Sequence, residues 1–265
     1  MCGIAGYSLS SDWSGDRTLA AQALLAGIAE RGADAVGYAF RPARGPVQVT
    51  KLRGGASALL DELEIPATSR QALIHVRDYT KGHPEIVANN HPIRHGSVVG
   101  VHNGIIENDD DLLAAYGIER HEPDMTVDSE AIFALMEARE HDHRALSELR
   151  GAMAAAWLDE RDASTLFLAR GRARPLWLGT ADSCVFFAST RRALEIVQAA
   201  LHVEVDVAQV REGRLLMLVD GRVARQRRFR PDRSYRETEA LPPVRAPQEG
   251  VSCLARLAMI TSAAG

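Results

Sequence analysis

The chain has 265 residues, of which 46% are hydrophobic and 25% charged, with a net charge of −4. These values are ordinary for a globular protein of one large domain or two small ones. The charge gives no reason to expect nucleic acid or an anionic membrane as a partner, and no apolar run is long enough to cross a bilayer. The N-terminus has no secretory signal pattern, and an odd, sparse set of cysteines (Cys2, Cys184 and Cys253) predicts a reducing, cytoplasmic location.

The first half of the chain predicts short strands separated by two helices. The strands are expected at 2–9, 36–42, 47–52, 71–76 and 97–102. The helices are expected at 18–30 and 127–140. Thr18 is the predicted N-cap of the first helix, and Gly32 lies just beyond its end. Asp128 would lie close to the N-terminus of the second helix.

The second half continues with strands and then changes in composition. Strands are expected at 152–158, 164–169, 175–178, 184–188 and 214–219, and a short helix at 190–200. Without a regular βαβ alternation, the pattern predicts a layered α+β fold with helices over antiparallel sheets. Arginines concentrate at 222–236, a pattern typical of a solvated edge strand and tail, and prolines concentrate at 241–247. We therefore predict a domain over 2–230 and a solvated tail over 231–265, in which 251–260 could dock as a short helix.

Cys2 follows the initiator methionine directly, which is the arrangement of an N-terminal nucleophile. Methionine aminopeptidases remove Met1 when the second residue is small, and Cys qualifies. The new terminus would carry a thiol and a free α-amine on one residue, with reference pKa values of about 8.5 and about 8. The amine could then act as the base for the thiol. The alternative is that Cys2 is simply a small apolar residue at the start of a strand.

Five stretches of sequence give Cys2 its context. They are CGIAGY (2–7), RGADAVG (31–37), HVRDYTKG with NNHPI (75–82 and 89–93), VHNGIIEN (101–108) and TVDSE (126–130). Together they resemble the class II glutamine amidotransferases, whose glutaminase domains are N-terminal nucleophile hydrolases. The glutaminase domain of glucosamine-6-phosphate synthase is the most similar branch, and two stretches also resemble the amidophosphoribosyltransferases. The resemblance runs from Cys2 to about residue 220. It implies a four-layer sandwich with two antiparallel sheets between helical layers.

The residues themselves suit hydrolysis of a carboxamide, which needs a nucleophile and donors for an oxyanion. Asn103 offers a side-chain NH₂, and Gly104 lets its backbone N–H approach a ligand closely. They follow an apolar strand, where the chain is expected to turn, so the alternative is a plain hairpin turn. The resemblance assigns the Asn103 side chain and the Gly104 N–H to the oxyanion hole, with Cys2 as the nucleophile.

The resemblance also names residues that would hold glutamine. Arg77 matches the arginine that binds the α-carboxylate, for which a planar bidentate cation is suited. Asp128 matches the acid that binds the α-ammonium, although a carboxylate there could also stabilise a helix N-terminus. Thr80 matches a substrate contact. Arg31 matches an arginine that supports the nucleophile, an ordinary surface ion pair being the alternative.

His91 and His102 are interpreted as hydrogen-bonding residues around the site. The spacings of His83, His91, His95 and His102 match no zinc signature, so no metal site is predicted. Cys184 and Cys253 are expected to be inert.

Two positions depart from the synthase pattern, which carries Trp and His in the loop after the carboxylate-binding arginine. Asp78 and Lys81 stand at those positions here. We expect these two differences to affect closure of the loop over substrate and coupling to a second active site more than they affect hydrolysis itself.

The predicted function is therefore a cofactor-free glutaminase that converts L-glutamine to glutamate and ammonia. With few residues after the glutaminase region, we expect a subunit that supplies ammonia to a synthase or acceptor subunit in trans. Two alternatives remain: an N-terminal cysteine hydrolase of another amide, or a catalytically quiet subunit that senses glutamine.

Overall fold

The computed structural model describes residues 2–237 and 242–264, so Met1 and part of the predicted tail lie outside the described residues. The strands are β1 Gly3–Leu9, β2 Ala35–Phe40, β3 Gln48–Arg53, β4 Gln71–Arg77, β5 Ile93–His95, β6 Val98–Ile106, β7 Gly151–Asp159, β8 Asp162–Arg170, β9 Trp177–Ala181, β10 Cys184–Ala188, β11 Asp206–Gln209, β12 Arg214–Val219 and β13 Arg222–Arg228. The helices are α1 Arg17–Ile28, α2 Asp109–Tyr116, α3 Glu130–Ala138, α4 Arg191–Leu201 and α5 Pro247–Ala264. A 3₁₀ turn, Ala29–Arg31, extends α1.

The strands form two antiparallel sheets. A seven-stranded sheet has the order β11-β9-β10-β1-β4-β2-β3, and a six-stranded sheet has the order β13-β12-β8-β7-β6-β5. In both sheets β-strands that are neighbours in space run antiparallel. The predicted α+β class with antiparallel sheets is confirmed.

Alternation along the strands builds the layers, because successive side chains of a strand point to opposite faces. In β7, Ala154, Ala156 and Leu158 join the core between the sheets, whereas Met153 and Trp157 face the core that includes α3. In the other sheet, β1 packs its odd-numbered side chains into a core with α1 and α4. Helices thus cover the outer faces of both sheets, and the result is a four-layer sandwich.

Several local predictions need correction. Asp16, not Thr18, caps α1 by accepting the N–H of Leu19, and the Thr18 hydroxyl instead donates to the carbonyl of Ile65. Three elements, β5, α2 and β11, lie in segments for which no element was predicted. Part of the arginine-rich stretch forms β13, an edge strand whose seven residues are all exposed.

Helix α5 lies within the stretch assigned to a tail, and it packs against α1 and the turn that follows α1. Cys253 and Leu257 of this helix are buried in the same core as α1. Residues 238–241 of the stretch lie outside the described residues. Within the described chain, no helix is long and apolar enough to span a bilayer.

Candidate active site

The predicted site residues come from elements that end at one side of the sandwich. Gly3 at the start of β1 pairs with Val76 near the end of β4, so Cys2 lies beside the end of β4. The two sheets meet nearby, where His75 Nε2 donates to the carbonyl of His102 at 3.1 Å. The start of β1, the end of β4 and the middle of β6 therefore lie close together.

Cys2 is held by two contacts. Its partly buried thiol donates to the carbonyl oxygen of Asp78 at 3.4 Å. Arg31, which is buried, donates from Nε to the Cys2 carbonyl at 2.8 Å. Burial raises the pKa of the Cys2 thiol, whereas its hydrogen bond to Asp78 and the charge of Arg77 lower it. Arg31 therefore lies where a supporting residue would lie, and it is not the surface ion pair of the alternative reading.

The residue after Cys2 has no room for a side chain. A Cβ on Gly3 would lie 2.9 Å from Val76 Cγ2 and 3.1 Å from Arg31 Cδ. Both distances are shorter than ordinary van der Waals contact, so glycine allows β1 to begin against the arginine that holds Cys2.

Asn103 and Gly104 lie inside β6, opposite Ala154 and Met153 of β7, and not at the turn that the sequence suggested. The side chain of Asn103 is fully buried, and neither its Nδ2 nor its Oδ1 has a hydrogen-bond partner among the described residues. An unpaired buried amide costs stability, so such groups are uncommon in folded proteins unless they serve a ligand.

Gly104 has a φ of +151°, a conformation that L-residues rarely adopt. A Cβ there would lie 1.9 Å from the carbonyl oxygen of Ala152 and 2.6 Å from His102 Nε2. Glycine is thus required at this position both by its backbone angle and by the close approach of β7.

Arg77 is buried at the end of β4, and its guanidinium makes three hydrogen bonds within the protein. It donates to Asn90 Oδ1 and to the carbonyl oxygens of Lys81 and Gly82. Burial lowers the pKa of Arg77, whereas the charges of Cys2 and Asp128 raise it. Arg77 is thus within electrostatic reach of both the predicted nucleophile and the predicted ammonium-binding acid.

Asp128 is buried just before α3, and its Oδ2 accepts the backbone N–H of Ile106 at 2.7 Å. Burial raises its pKa to about 6. Its carboxylate therefore accepts a hydrogen bond from the end of β6, and it also lies near the N-terminus of α3. Thr80 is exposed in the loop that follows β4.

His91 differs from its prediction as a hydrogen-bonding residue. It is buried and stacks on His75, with ring centroids 4.1 Å apart and planes 18° apart. Neither ring nitrogen of His91 has a hydrogen-bond partner within the described part of the chain. Burial first, and then the neighbouring His75 and Arg77, lower its pKa, so the ring is neutral and its contact here is stacking.

Residues 75–196 match a family described as the glutamine amidotransferase domain. Over these residues the chain is similar to glutamine amidotransferase domains. The resemblance to class II glutamine amidotransferases that the motifs suggested is thereby confirmed.

Named relatives of the amidotransferase domain are considerably longer proteins. A glutamine–fructose-6-phosphate aminotransferase of Oceanobacillus iheyensis is 32% identical over 181 residues, covering 64% of this chain and 29% of the relative. The same enzyme of Escherichia coli O6:H1 is also 32% identical over 181 residues, covering 64% of this chain and 28% of the relative. The chain thus spans less than a third of the length of these relatives.

Two solved structures share the fold. Glutamine phosphoribosylpyrophosphate amidotransferase from B. subtilis, complexed with ADP and GMP, aligns with a TM-score of 0.68 at 18% identity, covering 86% of this chain and 49% of that chain. A structure described as the allosteric regulatory enzyme of purine biosynthesis aligns with a TM-score of 0.67 at 20% identity and the same coverage. Together with the two antiparallel sheets, they confirm the amidotransferase sandwich that the resemblance implied.

His102 supports the strand that carries Asn103 in the amidotransferase domain. Its Nε2 lies 3.3 Å from the carbonyl of Ala152, which can only accept, so Nδ1 accepts the Ser129 hydroxyl at 2.8 Å. Burial lowers the pKa of His102 to about 3, which keeps the ring neutral. The predicted hydrogen-bonding role of His102 is confirmed, and its partner Ser129 follows Asp128 directly.

A charged network next to the loop was missed by sequence reasoning. Lys81 Nζ lies 2.6 Å from Asp109 Oδ2 and 3.1 Å from Asp110 Oδ2, both in the first turn of α2. Arg120 in turn bridges Asp109 and Glu130 at 3.0 and 3.1 Å. The run of three aspartates at 109–111 was the available signal, but only the fold shows that it faces Lys81.

Proposed function

We propose that Cys2 hydrolyses the side-chain amide of L-glutamine. The thiol sulfur attacks the amide carbon, the C–N bond breaks, and ammonia leaves with the thiol proton. Water then hydrolyses the γ-glutamyl thioester to glutamate and returns a proton to the sulfur. The α-amine of Cys2, freed by removal of Met1, moves these protons. This half-reaction requires no cofactor.

The position of Arg77 carries the proposal. Its guanidinium interacts electrostatically with both Cys2 and Asp128. A substrate whose ammonium meets Asp128 and whose carboxylate meets Arg77 would have the head group of an α-amino acid. An amide hydrolase without that specificity would have no use for a buried pair of opposite charges beside its nucleophile.

Arg77 retains donors for a carboxylate. An arginine has five N–H groups, and the bonds to Asn90, Lys81 and Gly82 use three of them within the described residues, which leaves two. The same bonds fix the side chain before substrate arrives, and this reduces the entropy lost on binding.

Asn103 and Gly104 supply the oxyanion site in this proposal. The unpaired Asn103 amide has an N–H group available, and the backbone of Gly104 is free of a side chain that would obstruct approach. Donors that are fixed before the reaction stabilise the developing charge without reorganisation.

The ammonia would serve an acceptor reaction, because the curated relatives are named as glutamine-dependent aminotransferases. We propose a glutamine-dependent synthase or acceptor subunit as the consumer of ammonia.

The test compares the chain with its Cys2→Ala, Cys2→Ser and Cys184→Ala variants. Glutamate and ammonia formed from glutamine are measured, and the N-terminal peptide is weighed by mass spectrometry after rapid acid quenching. We expect both Cys2 variants to lose turnover, Cys184→Ala to retain it, and the wild-type peptide to carry a γ-glutamyl adduct. Glutamine hydrolysis by Cys2→Ala at the wild-type rate would overturn the proposal, as would glutamine binding with no turnover by the mature wild-type chain.

A further inference from the structure

The C-terminal segment reaches the candidate active site. The backbone N–H groups of Arg245 and Ala246 donate to the carbonyl of Glu30 at 2.8 and 2.9 Å. The guanidinium Nε of Arg245 lies 3.1 Å from Asp78 Oδ2. Helix α5 begins immediately afterwards, and its Cys253 is buried in the same core as α1. This packing anchors the segment that carries Arg245 to the rest of the protein.

Both contacts fall next to residues that hold the nucleophile. Glu30 precedes Arg31, which donates to the Cys2 carbonyl, and Asp78 itself accepts the Cys2 thiol through its backbone oxygen. Asp78 therefore contacts Cys2 with its main chain and Arg245 with its side chain. A residue that fixes the Asp78 side chain also limits the movement of the carbonyl that orients the sulfur.

We propose that Arg245 is a positioning residue for Cys2, which fixes Asp78 and offsets the negative charge that Asp78 places beside the thiol. This inference rests on the proposed function in that Cys2 is taken as the nucleophile. Arg245 lies outside residues 75–196, which match the amidotransferase family, whereas Asp78 lies within them.

The charges around Cys2 explain why an offset is useful. Asp78 raises the pKa of the Cys2 thiol, whereas Arg77 lowers it. Arg31 contributes a further positive charge from the turn after α1. Other groups interact electrostatically with Arg77 or Arg31: Asp34, Tyr79, Asp128, Arg174 and Glu30.

Asp78 is also the position at which this sequence carries an acid where the synthase pattern has an aromatic residue. A carboxylate beside a nucleophilic thiol disfavours the thiolate. The guanidinium of Arg245 at 3.1 Å opposes that effect, so the acid and the C-terminal arginine form a compensating pair. The pair is partly exposed, with 42% of the Arg245 side chain and 20% of Asp78 accessible, so solvent reduces its influence.

The experiment measures the pH dependence of Cys2 alkylation by iodoacetamide in the full chain, without glutamine. The extent of alkylation is determined from the mass of the N-terminal peptide, which separates Cys2 from Cys184 and Cys253. The variants are Arg245→Ala, Arg245→Lys, Asp78→Asn and the double variant Arg245→Ala/Asp78→Asn. Arg256→Ala is the matched control, because Arg256 lies in helix α5, which follows Arg245, and pairs with Asp61 instead of Asp78.

For Arg245→Ala we expect the midpoint of alkylation to move to higher pH by about 0.5 to 1 unit. Arg245→Lys and Arg256→Ala should keep the wild-type midpoint, and Arg245→Ala should cause no further shift in the Asp78→Asn background. An unchanged midpoint in Arg245→Ala would overturn the proposal, as would an equal shift with and without the Asp78 carboxylate. Because the readout needs no turnover, it remains informative even if the chain does not hydrolyse glutamine.

Discussion

The backbone N–H of Ile106 donates to Asp128 Oδ2 at 2.7 Å, and this bond joins the end of β6 to the segment before α3. The strand that carries Asn103 is thus tied to the acid proposed to bind the glutamine ammonium. The next residue, Ser129, repeats the connection through its hydroxyl and His102. The proposed oxyanion donors and the ammonium-binding acid therefore keep a fixed relative position without any ligand.

The pKa of Asp128 makes stability depend on pH. Because burial raises this pKa from an ordinary value of 3.8 to about 6, the folded state binds more protons than the unfolded state between these values. We expect the Asp128 contribution to the free energy of unfolding to fall by about 2 kcal/mol as pH rises from about 4 to about 6. Asp128→Asn keeps an oxygen for Ile106 and should remove this component. Urea unfolding between pH 4 and 7 tests it, and equal pH slopes in the two proteins would contradict it.

Asn103→Leu should separate stability from activity. Leucine has a similar shape but no polar atoms to leave unpaired, so we expect the free energy of unfolding to rise by about 1 kcal/mol. Loss of the proposed oxyanion donor should lower kcat for glutamine hydrolysis about 10²- to 10³-fold. Denaturant unfolding and steady-state kinetics test the two effects. A variant that is destabilised by lost hydrogen bonds, or that is fully active, would be inconsistent with an unpaired catalytic amide.

Gly104→Ala should be severely destabilising because its Cβ would overlap the carbonyl of Ala152. Gly45 offers a matched control, since it also has a positive φ, +89°, but has nothing within 4 Å of an added Cβ. We expect a loss of at least about 3 kcal/mol in the free energy of unfolding for Gly104→Ala. Gly45→Ala should lose about 1 kcal/mol from backbone strain alone. Similar losses at the two sites, measured by urea denaturation, would show that β6 shifts to accommodate the methyl group.

Lys81→Ala should weaken glutamine binding more than it weakens the fold. Lys81 connects the loop that holds Arg77 to Asp109 of α2, but it is partly exposed, so stability should change by less than about 1 kcal/mol. With the loop released, we expect KM for glutamine to rise about ten-fold, which corresponds to about 1.4 kcal/mol. Arg53→Ala is the control, because it removes a more exposed ion pair, with Glu85 in the same loop. A ten-fold KM change in both variants would mean that general loop mobility, not the Lys81 contact, sets affinity.

Local sequence patterns predicted much of the fold because neighbouring residues carry the signal. Alternating apolar residues and β-branched runs gave β1, β4, β7 and β10, and helical spacing gave α1 and α3. The weaker or shorter elements were missed. The arginine-rich pattern of β13 indicated a solvated edge strand and tail, and pairing with β12 determines which of its residues form the strand.

The candidate site was likewise predicted only in part from the sequence. Cys2, Arg77 and Asp128 were selected from ordered motifs, and in the structure Arg77 interacts electrostatically with the other two. The Asn103–Gly104 pair resembled a turn, because Asn-Gly is locally a turn sequence. Its place inside β6 is set by pairing with β7, and the φ of +151° at Gly104 reflects that packing.

The sequence by itself determined the chemical inventory of this protein: a cysteine behind the initiator methionine, an Asn-Gly pair, and the arginines and acids of ordered motifs. Only the tertiary structure decided that Lys81 binds α2, that His91 stacks on His75, and that Arg245 reaches Asp78. Those contacts join residues on different elements, and their energies depend on burial and distance. No local pattern encodes them, because both quantities exist only after the sheets and helices have assembled.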